Sequence, residues 1–218
     1  MSKTNPFQHL HSDNNEAGDN ASSLQSRISA KRLTLLLFIV FLLLFPHYGP
    51  WEPSYVQNDS WTQKIFTLYF FIVNQTLGIV HEGGHGVCYI LHCPEFITVA
   101  NGTIFQLLFP GLIAYYYYRK GNVFAAMIAL FFVGFSLQYT AWYLSTAHEG
   151  LFLPAHKSFL GVDAMHDFNY MLNVMGLLAY ESLIAGVTRF VAYLIMLVAV
   201  IGMFFEAFPN NKRIVKRK

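Results

Sequence analysis

Long uncharged apolar stretches alternate with short polar segments along most of the chain. The first, residues 33–51, carries no charge and is long enough to span a bilayer, which takes about 20 mostly apolar residues. Five more stretches follow: 65–91, 96–118, 123–147, 168–180 and 190–205. The pattern predicts an all-α, polytopic transmembrane helix bundle of about six spans. Two of them are less regular, because 103–118 also suits a re-entrant segment and 168–180 is short for a span.

Composition agrees with a membrane protein. Charged residues make up 12% of the chain and hydrophobic residues 55%, whereas a soluble domain carries about 25% charge. This argues against a soluble globular protein and against a disordered one. The net charge of +2 is too small for binding by phosphate neutralisation, so the expected surroundings are a lipid bilayer and not a nucleic acid.

Basic residues at the two ends of the apolar region predict the topology. Residues 1–31 are polar and read as a disordered cytoplasmic tail, 32–208 as the membrane domain, and 209–218 as a basic cytoplasmic tail. Lys31 and Arg32 precede the first span, so both termini are expected in the cytoplasm and the number of spans is even. Arg119 and Lys120 then fall outside, against the positive-inside rule. The loop 148–167 and the end of the second span fall on the cytoplasmic side.

The strongest chemical signal is the sequence HEGGH at residues 81–85. On a helix His81 and His85 share one face, so both imidazoles can reach one Zn²⁺ ion, and Glu82 can act as general base towards a water molecule. Ionisable residues within an apolar helix indicate function. The alternative is a buried hydrogen-bond cluster with a purely structural role.

A third zinc ligand is expected from elsewhere in the chain, since catalytic zinc usually has three protein ligands. His92 lies about 10 Å along the helix from His85, and Cys88 shares the face of His85 but is more typical of apolar packing. The polar loop before the last third of the chain offers His166 and Asp167, either of which can bind zinc while the other supports it.

Three segments carry a resemblance to known proteins: HEGGHGVCYI, NGTIFQLLFP and MHDFNYML. Together they resemble a group of uncharacterised bacterial integral-membrane proteins. More broadly, the chain is similar to intramembrane metalloproteases of the site-2 protease type, which place HExxH in a transmembrane helix. The resemblance implies the roles of His81, Glu82 and His85 and a bacterial inner membrane. That type takes its third ligand from the Asp of an LDG motif, which does not occur here, and His166-Asp167 is the candidate replacement. Gln106 matches the Gln of the bacterial group.

The resulting prediction is a membrane-embedded zinc metallopeptidase that acts on a membrane protein or peptide. Gln106 and Asn101 are the candidate substrate-binding residues, with Asn101-Gly102 expected to form a turn that admits an unwound backbone. One alternative is a non-catalytic membrane protein that binds or transports metal. Another is a membrane diiron oxygenase, a class of enzyme that the chain resembles only in its histidine content. The two cysteines, Cys88 and Cys93, are expected to be reduced near a cytoplasmic face.

Overall fold

The computed structural model describes residues 25–43, 61–153 and 164–208, and these are almost entirely helical. The helices are α1 (25–43), α2 (Trp61–Leu91), α3 (Glu95–Arg119), α4 (Val123–Ser145), α5 (Asp167–Val174) and α6 (Glu181–Ala207). Two 3₁₀ turns, Ala147–Glu149 and Leu178–Tyr180, flank α5, and Phe152–Leu153 pairs antiparallel with Ala164–Met165. The predicted all-α class is confirmed. The predicted tails fall largely outside the described residues, although α1 already begins at residue 25.

Three helical segments are long and apolar enough to cross a membrane: Glu95–Arg119, Val123–Glu149 and Leu178–Ala207. The proposed span 168–180 does not form. Helix α5 ends at Val174, and Gly176 with φ +68° turns the chain before α6. The segment is also more polar than a span, since Asn169 donates to the carbonyl of Ala147 and Asn173 donates to the side chain of Asn169. The count of six spans is therefore not supported.

Helix α3 runs without a break through the segment that the sequence marked as irregular. Asn101 and Gly102 lie within it, as does Pro110. The turn expected at Asn101-Gly102 and the re-entrant alternative for 103–118 are both wrong. The Asn-Gly signal is local, and here packing against α2 outweighs it.

Helix α4 forms the centre of the bundle. Its first turn is capped by Asn122, whose side chain accepts a hydrogen bond from the backbone N–H of Ala125. Its closest partner is α6, because a Cβ atom added at Gly134 would lie 2.7 Å from the Met196 side chain. Helix α1 packs on the same pair through Phe38, whose ring lies edge-on to Phe131 at 4.6 Å. Large apolar and small side chains thus interlock at this contact.

The helices define two ends of the bundle. Lys31 Nζ lies 3.7 Å from Glu206 Oε2, and Arg32 donates to the carbonyl of Ala207, so α1 begins beside the end of α6. Lys31 also lies over the ring of Phe124, at the start of α4. We call this the basic end, and α3 finishes there as well. The opposite end, the corner end, holds the α2–α3 connection, the end of α4, α5 and the start of α6.

The corner between α2 and α3 is closed by a disulfide between Cys88 and Cys93. Helix α2 ends at Leu91, and His92 takes a left-handed φ of 56° that turns the chain back. The two Cα atoms come within 5.1 Å, a normal separation for a bridge. The expectation of reduced cysteines is wrong, because the helix breaks between them.

Candidate metal centre

Three potential metal ligands converge at the corner end. His81 and His85 lie one turn apart on α2, and Asp167 opens α5. Asp167 Oδ2 is 2.7 Å from His81 Nε2 and 3.2 Å from His85 Nε2. The three ligand atoms all lie within 4.8 Å of one another, in the only such group of three among the described residues. Residues 86 positions apart in sequence therefore form one cluster.

The two distances from Asp167 can be compared with those expected around a tetrahedral ion. With bonds of about 2.0–2.1 Å, two ligand atoms of tetrahedral zinc lie about 3.3 Å apart. The separation of 3.2 Å between Asp167 and His85 already matches, and that between Asp167 and His81 must open by about 0.6 Å. Without an ion, the short contact to His81 is a hydrogen bond in which the ring N–H donates to the carboxylate.

A hydrogen bond at the ring nitrogen that faces away from the cluster fixes the orientation of His85. Its Nδ1 donates to the backbone carbonyl of Thr98 at 2.8 Å, which leaves Nε2 facing Asp167. Metal-binding histidines usually make this second contact, because it sets the tautomer and holds the ring. Thr98 is in turn tied to the corner, since its hydroxyl donates to the carbonyls of Cys93 and Pro94.

A pair of glycines lets α3 approach the histidines closely. A Cβ atom on Gly102 would lie 2.7 Å from His81 Nε2 and 2.6 Å from His85 Nε2. The same atom on Gly84 would collide with the backbone of Asn101. The side chain of Asn101 donates to the carbonyl of Gly84 at 2.6 Å and holds the two helices together. The lack of a side chain at residue 102 therefore leaves both Nε2 atoms uncovered on the side that faces α3.

Asp167 is positioned by Tyr143 of α4. The backbone N–H of Asp167 donates to the Tyr143 hydroxyl at 3.1 Å. The ring of Tyr143 also stacks on His166 at 4.5 Å and meets Phe168 edge-on at 5.4 Å. Asn169 adds a further anchor, since its side chain donates to the carbonyl of Ala147. The start of α5 is thereby held against α4 and aimed at α2.

The pKa values of the adjacent residues His166 and Asp167 are both lowered, for different physical reasons. Burial lowers the pKa of His166 to about 4, so this ring is neutral at pH 7. Burial acts to raise the pKa of Asp167, but hydrogen bonds from His81 and His85 outweigh it and lower that pKa below its usual value. Asp167 is therefore an ionised carboxylate, the form that binds metal.

The other predicted site residues take different places. His166 does not join the ligand cluster: it caps α5, and its Nε2 lies 3.0 Å from the Thr146 hydroxyl. Gln106 is buried and donates to Ser136 of α4, so its observed contacts are those of helix packing. Asn101 bonds to Gly84, as described, and Cys88 is in the disulfide.

Glu82 lies beside the cluster. It is half-buried and directly follows His81 on α2. A carboxylate near a metal site but outside the ligand set is what a general base requires.

Three supporting residues were missed by the sequence interpretation. Gly102 was assigned to a turn, although an Asn-Gly pair inside a long apolar stretch can equally mark a close helix contact. The backbone carbonyl of Thr98 gives no sequence signal at all. Tyr143 lies in an aromatic-rich helix, and its spacing does not distinguish it from the neighbouring aromatic residues.

Fold and site together define an all-α protein with helices able to cross a membrane and a candidate metal centre at one end of the bundle. Comparisons with models of protein families, with curated proteins and with solved structures gave no significant match to this chain.

Proposed function

We propose that this chain is a membrane-embedded, zinc-dependent peptidase. The observation that carries the proposal is the convergence of His81, His85 and Asp167 around the space left by Gly102. Two imidazoles and one carboxylate form a common ligand set of hydrolytic zinc, which keeps a fourth position for water or substrate. The similarity to the site-2 protease type supports the same function through His81, Glu82 and His85.

The residues of the chain have separate tasks in this reaction. Zn²⁺ held by the three ligands would polarise the scissile carbonyl and make water acidic enough to ionise near neutral pH. Glu82 takes a proton from the attacking water and passes it to the leaving amine. Thr98, through its carbonyl, keeps the ring of His85 in the tautomer that leaves Nε2 towards the ion. Tyr143 keeps Asp167 in reach of both histidines.

The alternatives differ in what they require of the site. A diiron oxygenase binds two metal ions and needs at least about twice as many ligands as a mononuclear site. The described residues contain one group of three potential ligands. A non-catalytic metal-binding or transport protein needs the same three ligands but makes no use of Glu82. The role of Glu82 therefore separates this reading from the peptidase.

The cellular setting is part of the same proposal. We place the protein in a bacterial inner membrane as a multi-pass protein with both termini in the cytoplasm. Support comes from the resemblance and from the position of Lys31 and Arg32 beside the end of α6, which brings the first and last described helix ends to one side.

The test compares wild type with Glu82→Gln and His85→Ala in detergent. Each protein is assayed for zinc by mass spectrometry and for cleavage of a library of fluorogenic apolar peptides, with products sequenced. We expect about one zinc per chain in wild type and Glu82→Gln, and loss in His85→Ala. Loss of the general base should slow cleavage by about 10²–10⁴-fold. Cleavage by Glu82→Gln at the wild-type rate would refute the proposal. Zinc-loaded wild type that cleaves no peptide would favour the non-catalytic reading.

A further inference from the structure

The charged residues of the described helices are sorted between the two ends of the bundle. Of the seven Lys and Arg residues in the described ranges, six lie at or near the basic end: Arg27, Lys31, Arg32, Lys64, Arg119 and Lys120. Lys64 belongs there because α2 runs antiparallel to α3 and so begins where α3 ends. Only Arg189, about two turns into α6, lies towards the other end.

This distribution orients the bundle. Lys and Arg in short segments next to membrane helices remain in the cytoplasm, whereas Asp and Glu have little influence. The rule therefore places the basic end in the cytoplasm. It also removes the conflict found in the sequence, because Arg119 and Lys120 lie at the same end as Lys31 and Arg32. The corner end, with His81, must then face the other side of the membrane.

The disulfide independently indicates that the corner end lies outside the cytoplasm. Cys88 and Cys93 are bridged at the corner end. Disulfides persist in the bacterial periplasm, the secretory lumen and the extracellular space, and are reduced in the cytosol. A bridge at this corner is expected only if the corner lies on the oxidising side.

We propose that the metal centre opens to the oxidising, extracytoplasmic side of the membrane, at a corner that the disulfide keeps closed. This reverses the side assigned from the sequence alone. It rests on the membrane part of the proposed function and is independent of peptidase activity. Substrates would then present the bond to be cut near the extracytoplasmic surface.

The disulfide also supports the site directly. The carbonyl of Cys93 accepts from the Thr98 hydroxyl at 3.3 Å, and the carbonyl of Thr98 accepts from His85. A chain of two hydrogen bonds therefore links the bridge to a ligand. An oxidising surrounding keeps this support intact.

The experiment labels single cysteines in intact cells that express the full chain. In a Cys88→Ser/Cys93→Ser background, Glu149→Cys reports on the corner end and Lys120→Cys on the basic end, and both positions are exposed. A membrane-impermeant maleimide is added before or after permeabilisation of the inner membrane. We expect Glu149→Cys to react in both cases and Lys120→Cys only after permeabilisation. The reverse pattern would overturn the proposal.

A second measurement uses the natural cysteines and does not depend on the background folding. Cells are quenched with acid, and the wild-type chain is treated with a maleimide polymer before and after a phosphine reductant. The phosphine takes up an oxygen atom from water as the S–S bond is split into two thiols, so phosphine oxide and two reactive groups result. We expect no gel shift before reduction and a shift by two polymers after it. Two reactive thiols before reduction would contradict the proposal.

Discussion

Replacement of Gly102 by alanine tests the geometry of the metal centre most directly. The added Cβ would lie 2.6 and 2.7 Å from the Nε2 atoms of His85 and His81, where ordinary contacts begin at 3.4 Å. The rings or the helix must therefore move by about 0.7 Å, whereas ligand distances in metal sites are kept within about 0.2 Å. We expect zinc affinity to fall by about 100-fold, the upper end of the range for disturbing the support of a ligand.

The matched control is Gly111→Ala in the same helix, since a Cβ there meets no atom within 4 Å. Both exchanges raise helix propensity by about 1 kcal/mol, so their difference isolates the collision at the site. Zinc is measured by competition with a chromophoric chelator and by mass spectrometry, and folding by thermal unfolding in detergent. If Gly102→Ala binds zinc as tightly as Gly111→Ala, the ion does not occupy the space between α2 and α3, and the ligand set is wrong.

Three further predictions follow from the contacts around the site. Asp167→Ala should lose zinc while His166→Gln retains it in mass-spectrometric metal analysis; the opposite result would make His166 the third ligand. Asn101→Ala should lower the free energy of unfolding by about 1–2 kcal/mol, because it removes the bond to Gly84; a changed KM at unchanged stability would instead support the predicted substrate role. In zinc-free protein the unfolded state binds a proton at His166 below pH 6.5 and the native state only near pH 4. The free energy of unfolding should therefore fall by about 3 kcal/mol as the pH is lowered from 6.5 to 4. The loss should be smaller in His166→Asn, as measured by thermal unfolding.

Local patterns were sufficient for the helical class and for two of the three candidate ligands. The i, i+4 spacing fixes His81 and His85 on one face of any helix, whatever the rest of the fold. The choice between His166 and Asp167 was not accessible in the same way, because it depends on which side of the first turn of α5 faces α2. In the structure Asp167 lies beside both histidines, whereas His166 caps α5.

Errors arose where a residue type has two structural meanings. Asn101-Gly102 is typical of turns, but a glycine also permits helices to touch, and only the position of α2 distinguishes the two cases. The apolar count of 168–180 suggested a span, although its asparagines and Gly176 break it. The cysteines were assigned to the cytoplasm because the first two apolar segments were expected to run in opposite directions, whereas α1 and α2 both begin at the basic end.

The long separation between the ligands has a consequence for how the protein is made. His81 and His85 leave the ribosome well before Asp167, with α3 and α4 still to be inserted between them. Until α5 has docked on Tyr143, the nascent chain offers the two imidazoles of the candidate centre without the carboxylate of Asp167. Assembly of the candidate centre is thereby coupled to completion of the bundle. A chain that ends before α5 carries HEGGH but lacks the third candidate ligand.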